Sequence, residues 1–171
     1  MKIYFIRHAQ AEHNVNHNIN YFDPPITSLG QQQCQNKKHL YKDVDVVLTS
    51  TSTRALQTTL TLFEEYKNKY ATDLLLEYNT GVPCNCRHDL DIQKQRFATI
   101  DFDTYFVSPL NRESSWYDGE CRAKQVIELL KKINKPVIAV VSHANFIRNI
   151  MVLLTGENYE LENGDAYVVI I

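Results

Sequence analysis

Short runs of consecutive apolar, often β-branched residues alternate along the chain with longer stretches in which apolar residues recur every three or four positions. The first pattern predicts strands covered on both faces and the second amphipathic helices, so their alternation predicts an α/β domain with a mostly parallel sheet. Strands are expected at Lys2–Ile6, Val44–Leu48, Asp73–Glu77, Pro136–Val141 and Ala166–Ile171. Thr27 has the position and side chain of an N-cap for a helix running to about Leu40. Thr53-Arg54-Ala55-Leu56 opens a second helix with Leu56, Leu60 and Phe63 on one face, which puts Arg54 in its first turn. Two more helices are expected over Glu120–Ile133 and Ala144–Leu154.

The stretch Tyr78–Asp118 is too long for an ordinary connection and carries Phe97, Phe102, Tyr105, Phe106, Trp116 and Tyr117. A short helix near Leu90–Phe97 fits inside it. The aromatics read either as a small core beneath a long loop or as an inserted lid over substrate.

Composition narrows the class. A chain of 171 residues, 44% hydrophobic, suits a single domain spanning 1–171 that buries roughly two-thirds of its unfolded surface. A net charge of −2 gives no overall pull toward nucleic acid or an anionic membrane, so attraction for phosphate must be local. The apolar stretch Ile3–Ile6 is too short for a signal peptide and no run approaches a membrane span. Cys34, Cys84, Cys86 and Cys121 form no CxxC pair, which reads as reduced thiols in a cytoplasmic protein.

Ligands of an open parallel sheet sit beyond the carboxyl ends of its strands. The first predicted strand ends in Arg7-His8, the second leads through Thr49-Ser50 to Arg54, the third ends at Glu77 and the fourth in Ser142-His143. Two arginines, two histidines and one carboxylate therefore converge on one edge, a set suited to phosphoryl transfer. Arginine forks match the oxygens of a phosphoryl group, and an imidazole can attack phosphorus, dividing hydrolysis into transfer to His8 and hydrolysis of the phosphohistidine. Cationic neighbours keep such a histidine neutral and nucleophilic. Glu77 can protonate the leaving oxygen and then activate water. The scheme calls for no metal and no cofactor.

The motifs "RHAQAEHN", "DPPITSLGQQQ", "TSTSTRALQTT", "LLLEYNTG" and "VVSHANFIR", in this order, resemble the histidine phosphatase superfamily, whose fold is phosphoglycerate mutase-like. The resemblance covers nearly the whole chain. It implies a three-layer α/β/α sandwich with a lid inserted at about 78–118. It implies His8 as nucleophile, Arg7, Arg54, His143 and Asn14 as phosphate ligands, and Glu77 as proton donor. Ala9 stands where glycine is commoner, a departure seen in the branch that reads RHAQ followed by HN. "CNCR", "IDF" and "RES" are similar to the same branch and suggest Arg87 and Glu113 near the site. Arg87 there would favour a small phosphorylated substrate with a second anionic group.

Several residues also carry plainer readings. Asn14 could cap the turn after the first strand. His13 and His17 could share a metal but lack a convincing third ligand, and the Cys84-x-Cys86 spacing with His88 fits structural zinc poorly. "DVDVVLT" imitates an aspartyl-phosphatase signature, yet Asp43 and Asp45 precede their strand and belong to the opposite edge of the sheet, as solvated turn residues. The resulting expectation is a metal-independent phosphomonoesterase. Its rivals are a mutase of the same family, which returns the phosphoryl group to a sugar acid as an isomerase does, and a binding protein that keeps the fold without catalysis.

Overall fold

The structure, a computed structural model, describes residues 1–108 and 119–171. Five strands form one sheet in the order β3-β2-β4-β1-β5: β1 (Lys2–Arg7), β2 (Val46–Ser50), β3 (Lys69–Thr72), β4 (Val137–Ser142) and β5 (Ala166–Ile170). All pairings are parallel except β1 with β5. The helices are α1 (Glu12–Val15), α2 (Ser28–Lys37), α3 (Thr53–Leu62), α4 (Leu90–Arg96), α5 (Glu120–Ile133) and α6 (Ala144–Thr155).

Alternation along β1 makes the layers. Ile3 and Phe5 join Leu130, Phe146 and Ile150 in one core, under α5 and α6. Tyr4 and Ile6 point the other way and join Cys34, Ala55 and Phe63, under α2 and α3. Both faces of the sheet are therefore covered, and the expected three-layer α/β/α sandwich is the fold found.

Thr27 caps α2 by accepting from the Gly30 amide at 3.0 Å. Gly30 lets this helix start press on the loop after β1: a Cβ there would lie 2.2 Å from the Gln10 carbonyl oxygen. Asp43 bonds Lys2 and Tyr4, and Asp45 accepts from the Val137 amide at 2.9 Å, so both lie at the amino-terminal edge of the sheet, opposite the strand ends that carry Arg7 and Ser142.

The third strand differs from expectation. Asp73–Leu75 is a 3-10 turn, and the strand is the preceding Lys69–Thr72. Arg122, from α5, donates to the carbonyls of Leu74 and Leu76 at 2.8 and 2.5 Å, taking acceptors that a strand would give to its neighbour. Lys69 disguises the true strand. Its buried ammonium turns back to the carbonyls of Phe63, Glu64 and Tyr66, where the chain leaves α3.

The 78–108 segment holds a 3-10 turn at Pro83–Asn85 and then α4. Phe97, Ile100 and Phe102 pack on Leu56 and Ala71 as a small third core, and Tyr105 meets Tyr70 edge-on at 4.7 Å. These aromatics thus follow the small-core reading, while Glu113, Trp116 and Tyr117 lie outside the described residues. Among those described, no helix is long and apolar enough to cross a membrane, and all four cysteines are free.

Candidate active site

Sheet register assembles the site. Arg7 pairs with Ser142 in the parallel β1–β4 ladder, and the His8 amide adds one more bond to the Ser142 carbonyl at 2.9 Å. His8 and His143 therefore leave adjacent strands side by side, with ring centroids 5.2 Å apart. On the other side of β4, β2 delivers Ser50 and leads into α3, whose first turn carries Arg54.

Arg54, 1% exposed, links both rings. Its Nε donates to His8 Nε2 at 3.2 Å, its Nη2 to His143 Nδ1 at 3.1 Å and its Nη1 to the Cys84 carbonyl at 2.8 Å. A guanidinium has hydrogens to give and no lone pair to receive, so both imidazole nitrogens must be unprotonated. His8 then carries its proton on Nδ1 and donates it to its neighbour's carbonyl, Ala9 O, at 2.8 Å. His143 carries its proton on Nε2 and donates to Ser50 Oγ at 2.9 Å. Burial first, then the charge of Arg54, holds the His8 pKa well below the ordinary imidazole value, with Arg7 and His13 adding to the effect. The His8 ring is thus a neutral imidazole with its Nε2 lone pair toward Arg54.

Arg7 reaches the site from the end of β1, its Nη1 anchored on the Leu161 carbonyl at 2.7 Å. Its buried Nε has no partner among the described residues, nor does any carboxylate there lie within ion-pair distance. Glu77 follows the 3-10 turn rather than ending a strand, yet it arrives where expected. It is buried, accepts from the Tyr78 and Asn145 amides, both at 3.1 Å, and exchanges charge effects with Arg7 and Arg54. Burial raises its pKa above the ordinary carboxyl value even against these donors.

Two expected ligands are engaged elsewhere. Arg87 forks onto Asp73, Nε to Oδ1 and Nη2 to Oδ2, both at 2.9 Å, and gives Nη1 to the His88 carbonyl. Burial pushes the Asp73 carboxyl up, but Arg87, Thr51 and Ser108 outweigh it and hold the group charged. Asn14 caps the α1 turn, its Oδ1 accepting from the Ala11 amide at 3.0 Å. Among the described residues no cluster of three or more His, Cys, Asp or Glu side chains could hold a metal ion.

Sequence reasoning missed the supports. Asn163, in the loop before β5, donates to the His8 carbonyl at 3.2 Å and to Asn14 Oδ1 at 3.3 Å. Thr58 Oγ1 accepts from the Ala9 amide. Asp23, 2% exposed, accepts from the Thr53 amide and hydroxyl, the His88 amide and the Gln93 side chain, tying α3 to the 83–96 segment. Only the aspartate's place before Pro24-Pro25 hinted at an ordered loop.

The sequence model of the histidine phosphatase superfamily (branch 1) matches residues 3–166. A phosphoglycerate mutase-like protein of Arabidopsis thaliana is 27% identical over 198 residues, covering 87% of this chain and 73% of the relative. Among solved structures, a phosphoserine phosphatase mutant from Entamoeba histolytica in complex with phosphoserine superposes with a TM-score of 0.71 at 21% identity, covering 99% of this chain and 90% of that one. A mycobacterial glucosyl-3-phosphoglycerate phosphatase gives 0.70 at 19%, covering 98% and 90%. At such identities the two structures establish the fold alone.

Proposed function

The chain belongs to the histidine phosphatase superfamily; from that premise we propose that it is a hydrolase, a metal-independent phosphomonoesterase with His8 as nucleophile. The observation that carries this reading is the contact of Arg54 Nε with His8 Nε2 at 3.2 Å. It fixes the lone pair of the nucleophile beside the guanidinium that would hold the phosphoryl oxygens.

In the first step the His8 Nε2 lone pair forms a bond to phosphorus, the ester P–O bond breaks, and the Glu77 proton passes to the leaving oxygen. In the second, Glu77 takes a proton from water as its oxygen attacks phosphorus. The P–N bond breaks with its electron pair returning to Nε2, inorganic phosphate leaves, and Glu77 is again the acid. Arg7 and Arg54 offset the charge of the phosphoryl group in both steps, and His143, held by Ser50, faces the same group.

On this reading the insert, of which residues 78–108 are described, serves as a lid through the turn at Pro83–Asn85 rather than through its aromatics. Its Cys84 carbonyl occupies one Arg54 donor, a position that a phosphoryl oxygen would take on binding. Because His8, Arg54 and His143 are nearly fully buried, entry of a substrate requires that contact to open. Arg87 can reach a second anionic group on the substrate only by exchanging Asp73 for it. Small phosphorylated acids such as phosphoserine, the ligand of the Entamoeba protein, therefore head the substrate panel. Free thiols at all four cysteines support a cytoplasmic setting.

The test is phosphate release from a panel of monoesters with EDTA present, the natural enzyme beside His8→Ala. Turnover that survives chelation and vanishes in the variant supports the reading, and turnover retained by His8→Ala overturns it. Return of a labelled phosphoryl group to an acceptor instead of water marks a mutase.

A further inference from the structure

His13 lies in the shell of the site, its ring centroid 5.8 Å from that of His8, and the mechanism above gives it no part. Its hydrogen bonds determine where its proton sits. The Ala11 amide must find an acceptor, and it finds Asn14 Oδ1 at 3.0 Å, as does Asn163 Nδ2 at 3.3 Å. With its oxygen so committed, Asn14 presents its Nδ2 to His13 Nε2 at 3.3 Å. An amide nitrogen only donates, so His13 Nε2 must accept, and the proton of the neutral ring stands on Nδ1. That Nδ1 is buried and has no hydrogen-bond partner among the described residues.

A buried N–H without an acceptor costs about 1–3 kcal/mol and calls for an explanation in a native fold. Two side chains, Asn14 and Asn163, and the Ala11 amide combine to hold this donor in place, which is more than an accident of packing requires. Burial first, then the charges of Arg54 and Arg7, lowers the His13 pKa to about 4, so the ring stays neutral; its contact with the His8 ring at 5.8 Å places it beside the cradle. Resting on the phosphatase reading, we propose that His13 Nδ1–H is a further ligand of the transferring phosphoryl group, donating to one of its non-bridging oxygens. On this assignment Asn14 and Asn163 are positioning residues that set the tautomer of His13.

The experiment is calorimetric titration with inorganic phosphate of the natural enzyme, His13→Phe and His13→Gln. Phe keeps a flat ring and removes the donor, and its phosphate Kd is expected to rise about tenfold or more, the loss of a charge-assisted hydrogen bond. Gln restores an N–H and is expected to recover most of the affinity, which a role in packing alone would not produce. A Phe variant that binds within about twofold of the natural enzyme overturns the assignment. Failure of the natural enzyme itself to bind phosphate overturns the phosphatase reading, and this inference with it. Should either variant not fold, nitrogen NMR of the natural protein decides independently: the His13 proton on Nδ1 is required, and a proton on Nε2 refutes the proposal.

Discussion

The backbone amide of Asn145 donates to Oε2 of Glu77 at 3.1 Å. Asn145 is two residues beyond His143, in the first turn of α6, so the element that presents one imidazole also holds the carboxyl proposed as proton carrier. With Oε1 taken by the Tyr78 amide, Glu77 is fixed at both oxygens. Its raised pKa follows from burial outweighing these donors, and it suits an acid that must arrive protonated.

Glu77→Gln should lower kcat/KM, which reports transfer to His8, by about 100-fold or more on alkyl esters, whose leaving oxygen needs the proton, and much less on p-nitrophenyl phosphate. In the natural enzyme kcat/KM should fall on the alkaline side as Glu77 loses its proton, and that limb should be missing from the variant. Steady-state rates on the two esters across pH check both statements.

Arg54→Lys keeps a charge but loses the fork that meets His8, His143 and the Cys84 carbonyl together. A loss of about 100-fold or more in kcat/KM is expected, with Lys little better than Ala. Kinetics of the two variants side by side would show it, and near-normal activity in Arg54→Lys would count against a bridging role.

Asp23→Ala leaves the Thr53 amide and hydroxyl buried without their acceptor. The expected cost is about 3 kcal/mol of stability. Denaturant melts measure it, and Asp23→Asn, which keeps one acceptor oxygen, should lose less.

His13 makes stability fall with acid. Its pKa is about 4 in the folded protein against 6.5 ordinarily, and His8 is displaced in the same direction. Between those values the unfolded chain binds more protons than the folded one, so stability rises with pH there. It is complete above pH 6.5, declines as pH falls toward 4, and on account of His13 levels off below. Tm against pH should slope less steeply for His13→Gln than for the natural protein; identical slopes would contradict this.

The strand ends were legible because uninterrupted apolar runs stop where charged residues begin, and a parallel sheet sends such ends to one edge. Arg7, His8, Arg54 and His143 followed from that rule alone and are brought together in the structure. Periodicity misplaced the third strand because a run such as Leu74-Leu75-Leu76 is equally apolar as strand or turn. The deciding partner, Arg122, lies 46 residues beyond Leu76. Asn163 and the Cys84 carbonyl were illegible for a related reason, since one depends on a distant loop and the other is backbone. His13 stood inside the leading motif, but its significance lies in a proton position that only the hydrogen bonds of Asn14 reveal.

The most direct test of the phosphohistidine is rapid acid-free quenching of the enzyme during turnover of a monoester labelled in its phosphoryl group, followed by peptide mapping. The label should appear on His8, be labile to acid, and be absent from His8→Ala. Turnover with no label on the protein, or label on another residue, would contradict the mechanism.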